Sequence, residues 1–403
     1  MGVVQRKLSK TFNNFFDSEK SSGILLIVCT IVSLIITNSI IGANYLSLWQ
    51  MYIGGLSVEH WINDGLMAIF FLLIGLELER ELYNGELSDF KNALLPIFAA
   101  LGGIALPALI HFALNNGTET QAGIGIPMAT DIAFALGVLA LLGSRVPASL
   151  KVFLTALAVI DDLGAIIIIA VFYTAKFSIW FLVGALVVWA LLICLNRFGH
   201  VMNLIPYLVG GVLMWFLMMQ SGVHATIAGV MLAFTIPFTD KEDDDKAPSH
   251  RLEHFLHKPV AFMILPLFAL ANTGIIIGSD WFQGLFTPNS LGIILGLLVG
   301  KPLGISLLSF FAVSVGICRL PLDLNWKHIF GAGILGGIGF TMSIFITNLA
   351  FTGESNVLNA SKMAILLASL MAGTIGFLWL KLLGEPEETD EDVDTMDFHM
   401  TEV

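Results

Sequence analysis

Long apolar runs separated by short polar breaks dominate this chain and leave it few ways to fold. Twelve such runs are read, near 24–41, 59–78, 93–114, 121–143, 152–173, 178–195, 204–219, 222–238, 255–277, 290–315, 329–351 and 360–383. A helix needs about 20 apolar residues to cross a bilayer. Inside hydrocarbon the backbone must satisfy its own hydrogen bonds, so only helices and closed barrels can span it. Barrel strands would be shorter and alternate in polarity, so these runs predict α-helices. The chain is 56% hydrophobic and 12% charged, against about 25% charged in soluble domains. The expected fold is an all-α membrane protein with twelve transmembrane helices. It divides into a cytoplasmic N-terminal segment (1–23), the spans (24–383) and a disordered acidic C-terminal tail (384–403). The seventh and eighth runs are split only by Gln220-Ser221-Gly222.

Orientation follows from the basic residues, which favour the cytoplasmic side. With the N-terminus inside, 16 of the 19 Lys and Arg fall in cytoplasmic segments, only Lys176 and Lys362 fall outside, and Lys301 lies within a span. That asymmetry fits twelve spans with both termini in the cytoplasm. The first run is too long for a signal sequence and is read as a retained span. Much of the net charge of -12 comes from the tail beyond Lys381. Cys29, Cys194 and Cys318 suggest neither a disulfide framework nor a metal site.

Within this apolar frame the acids stand out. Asp161 and Asp162 are adjacent in the run from Val152 to Ala170. Each ionised aspartate near a span's middle costs about 2.5–3.5 kcal/mol on insertion scales, so an ion or proton site is the default reading. Asp131 lies in the preceding span. Counted from Pro147 at about 1.5 Å per residue, Asp131 and Asp161 both lie some 21–24 Å from the turn, so antiparallel neighbours hold the three carboxylates at similar depth. Adjacent helical residues point about 100° apart, so one aspartate can face a cavity while the other meets a partner. Lys301, in the tenth span, is the obvious partner, although a plain neutralising role is open to it.

Glycine and proline interrupt two of the spans. Gly123, Gly125 and Pro127 precede Thr130 and Asp131; Gly331, Gly333, Gly336, Gly337 and Gly339 precede Thr341 and Ser343. Such segments in separate halves predict broken helices meeting at a midplane site, although glycines also serve close packing alone.

These residues carry a resemblance. Trp61-Ile62-Asn63-Asp64 through Glu77, Ala129 to Gly137, Ile160 to Ala165, Ser221 to Thr226, Arg251-Leu252-Glu253-His254, Gly300 to Gly304 and Gly336 to Ser343 are similar to stretches of the NhaA family of bacterial sodium/proton antiporters. The resemblance implies inverted repeats with two discontinuous helices crossing at the ion site, beside an interface domain that makes a homodimer. It implies Asp162 as the main ligand of transported Na+, Asp161 as a proton carrier able to pair with Lys301, and Thr130 and Asp131 at the crossing. Glu77, Arg80, Glu81, Glu253 and His254 match a cytoplasmic cluster associated with pH activation. His224 is added as a pH-sensing candidate, against a plainer reading as a hydrogen-bonded helix-start histidine. The chain departs from the family in its acidic tail and in the acid-rich stretch Asp240–Asp245.

The expected function is electrogenic, pH-activated exchange at the bacterial inner membrane, with Na+ or Li+ leaving as H+ enters. It is not an enzyme. Apart from the transported ions no cofactor is expected; the partners are membrane lipid and a second copy, with no nucleic acid. A proton-coupled solute symporter is the alternative, although no recognition set for an organic solute is visible. An intramembrane aspartyl protease is a third reading; Phe340 after Gly337-Ile338-Gly339 counts against it.

Overall fold

A computed structural model describes residues 10–83, 85, 88, 90–172, 178–239, 247–279 and 281–383. The acidic tail, the Asp240–Asp245 stretch and Lys176 lie outside the described residues. The helices are α1 (Lys10–Thr37), α2 (Gly42–Trp49), α3 (Val58–Tyr83), α4 (Phe90–Asn115), α5 (Ile132–Leu141), α6 (Ala148–Phe172), α7 (Ile179–Arg197) and α8 (Leu204–Ser221). There follow α9 (Ile227–Ala233), α10 (Pro248–Asn272), α11 (Trp281–Gly284), α12 (Pro288–Ser314), α13 (Trp326–Gly336), α14 (Phe340–Ala350) and α15 (Ser355–Leu383). A 3-10 segment, Glu119–Met128, leads into α5.

Among the described residues, eight helices are long and apolar enough to cross a membrane, or eleven if each of three bent pairs is one span. The expected run 222–238 holds only the seven-residue α9, which spans about 10 Å at 1.5 Å per residue. Gly222, at φ 83°, takes the left-handed conformation that ends α8. The helix-to-hairpin passage after α1 lies between the expected runs. There α2 turns 120° away from α1, and β1 (Tyr52–Ile53) pairs antiparallel with β2 (Leu56–Ser57) across Gly54-Gly55.

The expected interruptions are present. The 3-10 segment meets α5 at a 41° bend, and α13 meets α14 at 46°. Pro127 offers no amide for a helical bond, and Ala129 and Asp131 continue in extended conformation (ψ 148° and 101°). At the other break, a Cβ on Gly337 would stand 2.4 Å from the Leu297 carbonyl oxygen. Only glycine admits α12 there.

The packing falls into two groups. α4, the 3-10 segment, α6 and α12 to α15 pack together, while α3 packs on α9 and α10, and α8 on α7 and α9. α5 joins the first group through α6, α1 bridges the two by lying against α5 and α10, and the groups also touch directly where α3 meets α6 and α10 meets α14. α4 and α12 approach main chain to main chain: a Cβ on Gly102 would lie 2.0 Å from the Gly304 oxygen, and one on Gly304 would lie 2.1 Å from the Gly102 oxygen. That contact lies three residues beyond Lys301. Exposed apolar side chains such as Trp180, Val187, Leu191, Val209 and Val212 line α7 and α8.

Candidate functional site

The two breaks touch. The Asp131 amide donates to the Ile338 carbonyl at 2.7 Å. Its carboxylate then caps two helices. Oδ1 accepts from the Phe134 amide at the start of α5 (3.0 Å). Oδ2 accepts from the Thr341 amide at the start of α14 (3.0 Å) and from the Thr341 hydroxyl. Helix N-termini carry partial positive charge and unsatisfied amides, so one buried carboxylate suits both ends at once.

Asp161 and Asp162 lie mid-way along α6, each 1% exposed. They are treated differently. Asp161 Oδ2 receives the Lys301 ammonium directly. It also lies 2.7 Å from the Thr130 hydroxyl, which is 2.8 Å from the Gly336 carbonyl as well. Lys301, fully buried, donates a second bond to Thr130 Oγ1 at 2.9 Å. Thr130 thus ties the pair to both breaks. Asp162 has no such support: both its oxygens, and Asp161 Oδ1, accept no hydrogen bond from any described residue. A buried carboxylate without donors is costly unless it is neutralised by a proton or a cation. Among the described residues no group of three His, Cys, Asp or Glu is placed to hold a metal ion. The five sequence-expected ion-site residues, Thr130, Asp131, Asp161, Asp162 and Lys301, therefore converge, with Lys301 on Asp161.

A second cluster lies at the Arg80 end of α3. The Arg80 guanidinium binds Glu253 and lies 3.3 Å from Glu81 Oε1. Glu77 lines a cavity of about 50 Å³ with Phe70, Ile74, Ile132, Ala133 and His257. Ile132 and Ala133, two of its lining residues, directly follow Asp131.

Two of the expected pH-sensing residues lie elsewhere. His254 is exposed while its neighbour Glu253 is buried, because adjacent helical residues diverge by about 100°. His224 sits toward the other end of α3, with its ring 6.5 Å from that of Phe345 and near the His60–Asp64 pair (2.9 Å). The histidines on the Glu253 face are instead His250, with Nδ1 4.0 Å from Glu253, and His257. Their spacing of three and four residues from Glu253 is the signal that would have found them. Glu79 was also missed. It is 6% exposed, and its Oε2 accepts no hydrogen bond from any described residue.

Comparison with known proteins identifies the family. A family model described as Na+/H+ antiporter 1 matches residues 13–380. The chain is 73% identical to a protein named Na(+)/H(+) antiporter NhaA from Dechloromonas aromatica, over 94% of this chain and 98% of that one. It is 61% identical to Na(+)/H(+) antiporter NhaA 1 from Flavobacterium johnsoniae (94% and 98% covered) and 60% identical to Na(+)/H(+) antiporter NhaA from Cytophaga hutchinsonii (94% and 97% covered). The chain belongs to the Na+/H+ antiporter 1 family, a family of transporters, and is a multi-pass bacterial membrane protein.

Proposed function

We propose that this member of the family exchanges Na+ or Li+ from the cytoplasm for protons from outside, electrogenically, and that it accelerates as the cytoplasm turns alkaline. The observation that carries the reading is the buried Asp162 carboxylate with neither oxygen hydrogen-bonded by a described residue, beside an Asp161 already held by Lys301 and Thr130.

Sodium is a small hard cation that favours oxygen ligands. It takes the free oxygens of Asp162 and the free Oδ1 of Asp161. Its charge then competes with the Lys301 ammonium for Asp161. The lysine swings aside and gives up its proton. On the return half-cycle, protons refill the positions the cation held. Asp162 and Lys301 each release a proton as one monovalent cation binds, so two protons return per ion and the membrane potential drives export. The acids titrate as a coupled set. At high proton concentration they stay filled and turnover falls; as protons become scarce the cation gains access. Glu77, Arg80, Glu81 and Glu253 line the cytoplasmic approach and tune that response.

The architecture under this reading is twelve spans in two inverted repeats whose broken helices cross at Asp131, in a homodimer in the inner membrane with both termini cytoplasmic. Alternating access carries whichever ion is bound to the other face. The cavity of about 50 Å³ suits a water or a small ion rather than an organic solute.

The test is dye-monitored proton flux in proteoliposomes holding only this protein. Sodium at alkaline pH is expected to drive flux that potassium does not. Absence of any sodium-dependent proton movement defeats the proposal.

A further inference from the structure

Beyond the ion site, along the half of α14 that leads away from Thr341, the side chains form two layers. The nearer layer is aromatic. Phe345, fully buried, faces Phe71 of α3 (5.6 Å between ring centroids), Phe268 of α10 (6.3 Å) and the His224 ring (6.5 Å). The farther layer is made of three side-chain amides. Asn348 Nδ2 donates to Asn272 Oδ1 at 2.6 Å. Asn272 Nδ2 donates to Asn63 Oδ1 at 2.8 Å, and Asn63 Nδ2 returns a bond to Asn272 Oδ1 at 3.3 Å. On α10 and α14 the layers are about one turn apart, with 268 and 272 four residues apart and 345 and 348 three apart; on α3, Asn63 and Phe71 are eight apart, with Met67 between them. Asn63 sits in the π-helical turn Trp61–Leu66, an irregularity common at functional positions.

The partition of these residues matters. Asn63 and Asn272 stand on α3 and α10, in one packing group. Asn348 and Phe345 stand on α14, whose N-terminus holds Asp131 and belongs to the other. The direct amide link across that divide is Asn348 to Asn272. Asn348 also keeps a buried Oδ1 that accepts no hydrogen bond from any described residue, so its side of the contact is incompletely satisfied.

We propose that Asn348, Asn272 and Asn63 form a latch that closes the outer end of the ion path, with Phe345 as the plug beneath it. Opening to the outside parts α14 from α3 and α10 and breaks the Asn348–Asn272 bond. The latch rests on the alternating-access reading above for its role in transport, although its position and its opening can be read without any transport.

Two measurements on the full chain test it, in a background where Cys29, Cys194 and Cys318 are serine. First, Asn272→Cys and Asn348→Cys are introduced together and joined by a short cleavable thiol cross-linker. Sodium-dependent proton flux is expected to fall by at least about tenfold on cross-linking and to return on cleavage. Unchanged flux in the cross-linked protein overturns the latch. A background protein with no flux before cross-linking reports failure of the antiport reading instead, and the second measurement then decides alone. Met67, fully buried, lies between Asn63 and Phe71, four residues from each. Met67→Cys is labelled from outside in right-side-out vesicles with a membrane-impermeant thiol reagent. Adding Asn348→Ala is expected to speed labelling by up to about tenfold, the equivalent of one lost neutral hydrogen bond. Asn348→Ser, the milder change, is read the same way if the alanine variant does not fold. A labelling rate unchanged in the folded variant overturns the proposal.

Discussion

The two ends of α3 are held by different chemistry. At the Arg80 end, acids and histidines surround one guanidinium beside a cavity. At the Asn63 end, neutral amides and aromatic rings meet across the packing divide. Breaking a buried ion pair by removing one partner costs about 3–5 kcal/mol, whereas a neutral hydrogen bond contributes about 0.5–1.5 kcal/mol net. Amides therefore suit a contact that must open and close in every cycle. Charges suit the end proposed to answer to proton concentration.

That contrast has meaning only if an ion passes between the two ends, so the largest effect is expected at the site itself. Asp162→Asn should abolish sodium-dependent proton flux in proteoliposomes; normal turnover would place the cation elsewhere. Lys301→Ala leaves Asp161 with Thr130 alone. The cost is about 3–5 kcal/mol if Asp161 stays charged, seen as a lower melting temperature in detergent, and less if it takes up a proton, seen as a shifted pH profile. A melting temperature and a pH profile that both stay at wild-type values would remove Lys301 from the mechanism.

At the charged end, Arg80→Ala is expected to cost about 1–2 kcal/mol of stability, below the fully buried range because solvent screens the pair and Arg80 is 37% exposed. The guanidinium is paired with Glu253 and lies 3.3 Å from Glu81, so losing it leaves these neighbouring carboxylates without their cation. The pH profile of sodium-dependent flux should change. At the neutral end, Asn348→Ala should lower stability by only about 1 kcal/mol and leave the pH profile in place. A pH shift from Asn348→Ala as large as that from Arg80→Ala would erase the distinction between the ends.

Much of the ion site was legible because charge inside an apolar run has few explanations. Depth counting from Pro147 put Asp131 level with Asp161, and both glycine-rich interruptions became bends. Which aspartate Lys301 meets was not legible from spacing, since the 100° between neighbours says only that they differ; the family resemblance supplied it. The β1–β2 hairpin was signalled by Gly54-Gly55 between short apolar pairs but fell between the expected spans. Run 222–238 is as apolar as its neighbours, and apolarity alone does not reveal that the helix within it is short. The three asparagines were hidden for a different reason. An amide near the end of a span looks like any interfacial residue until its partners, some 76 and 209 positions away, are brought to it.

Gly102 and Gly304 touch backbone on backbone, so α4 and α12 have no cushion of side chains on which to slide past each other. The root of Lys301 is therefore anchored, and its ammonium travels only as far as its own flexible stem allows. Handing Asp161 from lysine to a passing cation is then a swing of a few ångströms at the tip of one residue, quick beside the displacement of whole helices. In the cycle proposed above, the slow part of each turnover then falls to the large-scale motion, and the ionic trade at its centre keeps pace with it.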